Sequence, residues 1–292
     1  MKLVSKTGVL WKRYGMQKAV DLLIDAGFDA LDFTFPDEGH ELLPTDKAYY
    51  TELRKYVESK GVSFKQSHAP APSSYADEAE AEKMFDVIVS TMRRAAYLGV
   101  PNIVVHPCQH LLYVEKGNPE KLFEYNMKFF RRLIPYCEEY GIKVAIENMW
   151  QYPGMISHST CSKPEEFVRY VDELNNDSIG ACLDIGHAML VREMPNDMIH
   201  ALGNKRILCL HVHDVDGIDD LHTLPYLGIT DWDKVMEALA DIDYKGEFTY
   251  EVEILSGKPD ALVPQYLKLM EQTGRHLIGV YDEKVSRHSV LL

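Results

Sequence analysis

The feature that most constrains this chain is a repeated alternation of short apolar segments with longer amphipathic segments. A glycine recurs at the junctions, which read Ala26-Gly27-Phe28, Lys60-Gly61-Val62, Leu98-Gly99-Val100 and Tyr140-Gly141-Ile142. Glycine just past the end of a helix lets the chain reverse direction at little conformational cost. The pattern therefore predicts successive strand–helix units.

Each apolar segment is predicted to be a strand and each amphipathic segment a helix. The predicted strands are residues 2–6, 28–35, 62–68, 102–107, 142–148, 178–184, 206–213 and 247–253. The predicted helices lie near 15–26, 45–60, 77–98, 119–140, 164–175, 195–203, 231–242 and 259–274. Eight such units in 292 residues, without a linker, favour a single (β/α)8 barrel, the TIM barrel, over residues 1–278. Residues 279–292 are predicted to form a C-terminal tail that packs on the barrel or joins a partner in a homo-oligomer.

A doubly wound open sheet has the same local pattern and is the alternative fold. Its dinucleotide-binding form carries GxGxxG after the first strand, whereas this chain reads Lys6-Thr7-Gly8-Val9-Leu10 there. The sequence also contains no Walker loop, no GxSxG elbow and no HExxH helix. The barrel is therefore favoured.

Composition disfavours several classes of partner, although a local basic groove stays open as a nucleic-acid site. The chain has 45 acidic and 31 basic side chains, and the formal charge of −14 disfavours non-specific binding to nucleic acid or anionic membranes. No run of about 18 apolar residues is present, so no membrane-spanning helix is expected. Five cysteines without a CxxC disfavour a disulfide framework or thiolate zinc site and predict a reducing, cytoplasmic location.

Six consecutive predicted strands end on ionisable side chains. These are His68, His106, Glu147, Asp184, the pair His211 and His213, and the pair Glu251 and Glu253. A single such residue is more often structural. In a barrel, however, the carboxyl ends of all strands meet at one mouth, where the active sites of the fold lie. The convergence therefore predicts a site there.

Strand alternation predicts which of these side chains point into the barrel. In the seventh strand Leu208, Leu210 and Val212 are expected to face the helices, and Cys209, His211 and His213 the interior. The same alternation directs Glu147, Asp184 and Glu251 inward. Three buried carboxylates repel one another unless a cation compensates them. With His211 as a nitrogen ligand, the set predicts one divalent ion: Mn²⁺, Zn²⁺, Co²⁺, Fe²⁺ or Mg²⁺.

Four segments at the strand ends read Ile146-Glu147-Asn148, Leu183-Asp184-Ile185-Gly186-His187, His211-Val212-His213-Asp214 and Glu251-Val252-Glu253. They resemble the xylose-isomerase-like TIM-barrel superfamily, and most of all its sugar phosphate isomerase/epimerase group, which includes ketose 3-epimerases. Residues 220–232 resemble the group's loop H-x-x-P-x-G-x-G-x-I-D-W, slightly stretched, and residues 27–32 resemble its second strand. The resemblance covers essentially residues 1–275.

The resemblance implies metal ligands at Glu147, Asp184, His211 and Glu251, an acid–base pair formed by Glu147 and Glu251, and substrate binding by His187. The implied activity is isomerisation or epimerisation of a sugar, sugar phosphate or polyol. It proceeds by proton abstraction next to a carbonyl through a metal-stabilised enediolate.

Two positions depart from the epimerases. A second glutamate of that group corresponds to Pro153, and an arginine corresponds to Gly217. The specificity for a particular sugar therefore stays open. Trp150, close after Glu147, is expected either to stack on the substrate or to pack under its loop.

The zinc-dependent apurinic endonucleases of the same superfamily are the rival. Their nine zinc ligands have counterparts at His68, His106, Glu147, Asp184, His187, His211, Asp220, His222 and Glu251. Against this assignment, Ile185-Gly186 replaces the T-C of their D-T-C-H motif, and the loop with Asp214, Asp216, Asp219 and Asp220 lacks Lys and Arg, which suits phosphate backbones poorly. In a one-metal enzyme, His68, His106 and His222 are predicted to bind sugar hydroxyls; a second or third metal is the alternative. A non-catalytic binding barrel is disfavoured because every ligand is present.

Overall fold

The computed structural model describes residues 1–36, 44–73 and 75–290. The strands are β1 Leu3–Lys6, β2 Ala30–Thr34, β3 Phe64–His68, β4 Asn102–Val105, β5 Lys143–Glu147, β6 Trp150–Gln151, β7 Ser157–His158, β8 Ile179–Asp184, β9 Ile207–His211 and β10 Phe248–Tyr250. The helices are α1 Gly8–Tyr14, α2 Met16–Ala26, α3 Lys47–Ser59, α4 Glu78–Leu98, α5 Asn118–Tyr140, α6 Pro164–Leu174, α7 Ile185–Leu190, α8 Pro195–Arg206, α9 Trp232–Asp241 and α10 Val263–Val290. A 3-10 turn, Asp260–Leu262, precedes α10.

Eight strands form one parallel sheet in the order β10-β1-β2-β3-β4-β5-β8-β9. The sheet closes between β9 and β10 through a parallel bridge of Val212 with Tyr250. The Val212 N–H donates to the Thr249 carbonyl at 2.9 Å, and the Glu251 N–H donates to the Val212 carbonyl at 3.1 Å. This closure confirms the predicted TIM barrel and excludes an open sheet.

All eight predicted strands and all eight predicted helices are present. The four junction glycines (Gly27, Gly61, Gly99 and Gly141) have positive φ values between 64° and 106°, as their role at helix ends predicts. The sequence did not reveal α1, α7 or the β6–β7 hairpin. The last helix runs to Val290 and so includes most of the segment predicted as a tail. Residues 291–292 lie outside the described residues.

Apolar side chains pack on both faces of the strands. The larger layer packs strand side chains such as Val144, Ile146 and Leu183 against the helices. A small inner cluster fills the barrel below the mouth and consists of Val104, Ala145, Cys182 and Cys209. We call this cluster the barrel floor.

The predicted alternation is wrong at Leu208. Its side chain packs against the barrel floor and does not face the helices with Leu210. The cause is a register shift in the β8–β9 pairing, where Ala181 pairs with Ile207 and Cys182 with Cys209. Such a bulge leaves one extra residue on one strand and rotates its side chain. Beyond the bulge, His211 points inward as predicted.

Candidate functional site

Four side chains converge just above the barrel floor. Glu147 ends β5, Asp184 ends β8, His211 ends β9 and Glu251 follows β10. Their ligating atoms all lie within 4.8 Å of one another. The Nδ1 atom of His211 is 2.9 Å from Glu251 Oε2, 3.3 Å from Glu147 Oε1 and 3.7 Å from Asp184 Oδ2. We call these four residues the ligand cluster.

Several atoms of the ligand cluster are buried without a well-aligned hydrogen bond. Among the described residues, neither ring nitrogen of His211 has such a partner, and Glu147 Oε2 has none either. Leaving buried polar atoms unsatisfied costs about 1–3 kcal/mol each. A divalent cation takes lone pairs from this kind of oxygen-rich, thiolate-free donor set. The donors present therefore fit a single divalent ion.

Local structure holds Asp184 in place. Its carboxylate caps α7 by accepting a hydrogen bond from the His187 N–H at 2.6 Å. The Asp184 N–H donates to Asn148 Oδ1 at 2.7 Å, and Asn148 Nδ2 donates to the Asp184 carbonyl at 2.9 Å. The strand end, the helix start and the asparagine together fix the position of this carboxylate.

Part of the negative charge is offset by Lys6 at the end of β1. Its ammonium group lies 2.6 Å from Glu253 Oε1 and 3.5 Å from Glu251 Oε1, and the side chain is 9% exposed. Burial alone would raise the pKa of Glu251, but the charges of His211 and Lys6 hold that pKa well below its ordinary value. Lys6 was not predicted as a site residue, although it stands where the first strand stops being apolar.

His68 and His106 line one side of the ligand cluster. Their Nε2 atoms are 3.1 Å apart. They lie 3.5 Å and 3.3 Å from Glu147 Oε2 respectively. Both histidines therefore lie at the mouth, as predicted from their positions at strand ends, and both contact the same carboxylate.

A second polar group lies beside the ligand cluster and centres on Asp220. Its Oδ2 atom is 3.3 Å from His187 Nε2 and 3.1 Å from His222 Nε2. Burial acts to lower the pKa of His222, but its hydrogen bond with Asp220 prevails and raises that pKa to about 9. His187 also reaches the ligand cluster, since its Nδ1 lies 3.2 Å from Glu147 Oε1. Another residue of this group, His213, was predicted to point inward but was not assigned a role.

Trp150 has a mixed environment. It packs beside a small apolar cluster that contains Met189, Leu190 and Val215. Its indole N–H donates to Asp220 Oδ2 at 3.2 Å. Trp150 is thus partly packed and partly hydrogen-bonded, and stacking on a substrate stays a prediction.

A buried pair below the mouth was also missed. Asp32 of β2 accepts a hydrogen bond from Gln66 Nε2 of β3 at 3.1 Å. Burial raises the pKa of Asp32 to about 6, although His211 and His68 act in the opposite direction. Strand alternation could have found this pair, because Asp32 and Gln66 stand two residues before Thr34 and His68, the last residues of their strands.

The loop after β9 is organised by Asp214, which is fully buried. Its carboxylate accepts hydrogen bonds from Thr230 Oγ1 at 2.8 Å, from Trp232 Nε1 at 2.8 Å and from the Tyr226 N–H at 3.1 Å. The Asp214 carboxylate is therefore hydrogen-bonded within the loop and does not face an incoming ligand. It contributes less to repelling a phosphate backbone than its place in the sequence suggests.

Comparisons with known proteins agree with this architecture. The sequence profile of a family described as xylose isomerase-like TIM barrel matches residues 20–273. An uncharacterized protein of Sinorhizobium fredii is 24% identical over 82% of each chain. A D-psicose 3-epimerase of Enterocloster bolteae is 23% identical over 82% of this chain and 78% of its own. A probable endonuclease 4 of Metamycoplasma arthritidis is 25% identical over 58% of this chain and 62% of its own.

Solved structures share the whole fold. A D-tagatose 3-epimerase-like protein superposes with a TM-score of 0.76 at 24% identity, covering 98% of this chain and 100% of that chain. An IolI protein with a bound zinc atom superposes with a TM-score of 0.76 at 18% identity, covering 97% and 99%. At these identities the likeness establishes the fold.

Among the described residues, no helix combines the length and the hydropathy that a membrane-spanning segment needs.

Proposed function

Because the chain belongs to the xylose isomerase-like TIM barrel family, we propose that it is a divalent-metal-dependent isomerase or epimerase of a sugar, a sugar phosphate or a polyol. The observation that carries the proposal is the ligand cluster, in which three carboxylates and one imidazole meet within 4.8 Å. The D-psicose 3-epimerase relative supports the substrate class. The zinc atom in the IolI structure supports the use of a metal by this fold.

The two glutamates reach the centre from different sides of the barrel. In the order of strands, β5 and β10 are separated by β8 and β9 on one side and by β1 to β4 on the other. In an epimerisation, one of Glu147 and Glu251 removes the proton next to the carbonyl, and the other delivers a proton to the opposite face. A divalent ion held by the ligand cluster would stabilise the negative charge that develops on the substrate oxygens.

We also propose that the surrounding histidines bind a polyhydroxy substrate. We assign this role to His68, His106, His187 and His222, with Trp150 as a candidate stacking surface. His68 is 14% exposed, His106 20% and His222 18%, so these three are open to a ligand from the mouth. Pro153 and Gly217 stand where the ketose 3-epimerases carry a glutamate and an arginine that contact the substrate. We therefore expect a different sugar preference from that of those enzymes.

The test is solvent exchange on a panel of ketoses, ketose phosphates and polyols that carry a carbonyl group. The metal-loaded protein is incubated in deuterated water with each compound, and deuterium at the carbon next to the carbonyl is followed by NMR. We expect exchange and product with at least one ketose, and loss of both after chelation. Absence of exchange across the panel with a metal-loaded, folded protein would contradict the proposal.

A second candidate, a zinc-dependent phosphodiester hydrolase of the apurinic endonuclease type, is favoured by one observation. Two further groups, His68 with Glu147 and His211, and His187 with His213, Asp220 and His222, also bring potential ligating atoms within 4.8 Å. The similarity of this chain to a probable endonuclease 4, at 25% identity, also supports this candidate. Three zinc ions per chain and cleavage of DNA containing apurinic sites would identify this activity.

A further inference from the structure

His213 is buried beside the ligand cluster and has no role in the isomerase or epimerase function proposed above. Its side chain is fully buried. Its Nε2 atom lies 3.0 Å from both carboxylate oxygens of Asp184. Its Nδ1 atom makes no hydrogen bond with any described residue. The contact with Asp184 is therefore the polar interaction that sets the orientation of this ring.

The same ring packs against the second polar group. It stacks on the His222 ring, with the centroids 4.0 Å apart and the planes at 12°. His222 is in turn tied to the chain after β10, because its Nδ1 lies 2.8 Å from the Glu251 carbonyl and its own carbonyl accepts from the Glu253 N–H at 2.8 Å. His213 thus lies between a carboxylate of the ligand cluster and a histidine of the predicted substrate site.

Gly186 leaves the space that this arrangement needs. A Cβ atom built at Gly186 would lie 2.0 Å from Cε1, 2.5 Å from Nδ1 and 2.6 Å from Nε2 of His213. Real Cβ contacts are essentially never this short, so any larger residue at 186 must displace the ring. Gly186 lies in the short helix α7 and its φ is not left-handed, so the ring contact is the constraint on this position.

We propose that His213 is a positioning residue of the metal centre: it orients the Asp184 carboxylate within the ligand cluster and fixes the His222 ring. Position 186 is a glycine because any larger side chain there would collide with the His213 ring. The inference rests on the proposed metal site. Residues that hydrogen-bond a metal ligand from behind commonly change metal affinity about 10–100-fold when they are removed. His213 adds a donor to a carboxylate that already caps α7.

The test measures the affinity of the metal-free protein for Zn²⁺ by competition with a chromogenic chelator. We expect His213→Ala and Gly186→Ala each to weaken Zn²⁺ binding about 10–100-fold. His213→Gln keeps an N–H donor at similar reach and is expected to restore most of the affinity, which a purely packing role would not produce. Thermal unfolding of each metal-free variant checks that it is folded.

Two matched controls are available. Gly279→Ala is a helical glycine substitution with no atom within 4 Å of the new Cβ. His200→Ala removes a histidine that contacts Asp241 on the surface, at 2.9 Å. Both are expected to bind Zn²⁺ as tightly as the unmodified protein.

The decisive arm is the double variant. Once the His213 ring is absent, the Cβ of Gly186→Ala meets none of the three ring atoms closest to it, so the double variant should bind Zn²⁺ no more weakly than His213→Ala alone. Additive losses, or unchanged affinity in both single variants, would overturn the inference. Loss of a whole Zn²⁺ equivalent in His213→Ala would also overturn it, because His213 would then be a ligand. If the unmodified protein binds no metal, the proposed function itself fails.

Discussion

On β4, β5, β8 and β9, side chains two residues apart form two layers inside the barrel that differ in chemistry, whereas β2 and β3 carry the polar pair Asp32 and Gln66 below the mouth. The lower layer is the barrel floor, with small apolar side chains, and the upper layer is ionisable. The pairs along each strand are Val104 and His106, Ala145 and Glu147, Cys182 and Asp184, and Cys209 and His211. The floor fills the barrel with apolar contacts. In the upper layer the ionisable side chains lie close together, so a single bound cation can offset the unfavourable free energy of burying their charges.

The largest expected effect is on the upper layer. Glu147→Gln and Glu251→Gln each remove a proposed ligand and an acid–base group, so kcat should fall by at least about 10²–10⁴-fold. Steady-state turnover of the substrate found in the exchange panel is the measurement.

The control for these variants is Glu173→Gln. Glu173 is 56% exposed and pairs with Arg131 at 3.2 Å on the outer surface. This variant should keep full turnover. Full turnover in either active-site variant would remove that glutamate from the mechanism.

Moving a charge one layer down should destabilise the fold. Ala145 is fully buried in the barrel floor, where Ala145→Asp would place a carboxylate among apolar neighbours. We expect the free energy of unfolding to fall by about 3–5 kcal/mol. Urea denaturation compared with the uncharged Ala145→Ser measures it. Equal stability of the two variants would show that charge is tolerated equally in both layers.

A smaller apolar change in the floor should separate stability from metal binding. Cys182→Ala deletes one buried sulfur and should lower the free energy of unfolding by about 1 kcal/mol. The metal content per chain should stay unchanged, because Cys182 is not part of the ligand cluster. A loss of metal as large as that of Asp184→Ala would mean that the two layers do not act separately.

The smallest effect concerns a carboxylate away from the barrel interior. Burial raises the pKa of Glu166 to about 7, against the hydrogen bond that the Tyr113 hydroxyl donates to Oε2 at 3.2 Å. The folded state therefore holds this proton more tightly than the unfolded state, whose pKa is near 4.5. Stability from this group is complete below about pH 4.5 and is lost as pH rises through 7.

Glu166→Gln should flatten this dependence. The difference in unfolding free energy between the variant and the unmodified protein should change by on the order of 1 kcal/mol between pH 5 and pH 8. Urea denaturation across that range measures it. A parallel pH dependence in both proteins would show that Glu166 titrates normally.

Strand ends and alternation were enough to predict the barrel and the ligand cluster. Glu147, Asp184, His211 and Glu251 stand at the ends of apolar strands, and the parallel topology brings such ends together. The junction glycines predicted the helix–strand boundaries for the same local reason. These features depend on periodicity along one element, which a single sequence carries.

Features that depend on contacts between elements were not predicted. The bulge at Leu208 follows from the pairing of β9 with β8. The proposed role of His213 depends on the space that Gly186 leaves for its ring. Lys6 acts on Glu251 across the β10–β1 edge. Lys6 and the imidazoles also offset the charge of the buried carboxylates, so a bound cation is not the only group that makes them tolerable.

The most direct test of the account is the number of metal ions per chain in the purified protein, measured by elemental analysis after removal of loosely bound metal. The ligand cluster predicts about one divalent ion per chain, lost in Asp184→Ala. Three zinc ions per chain would contradict the isomerase assignment and favour the endonuclease. No bound ion after reconstitution would contradict the metal centre itself.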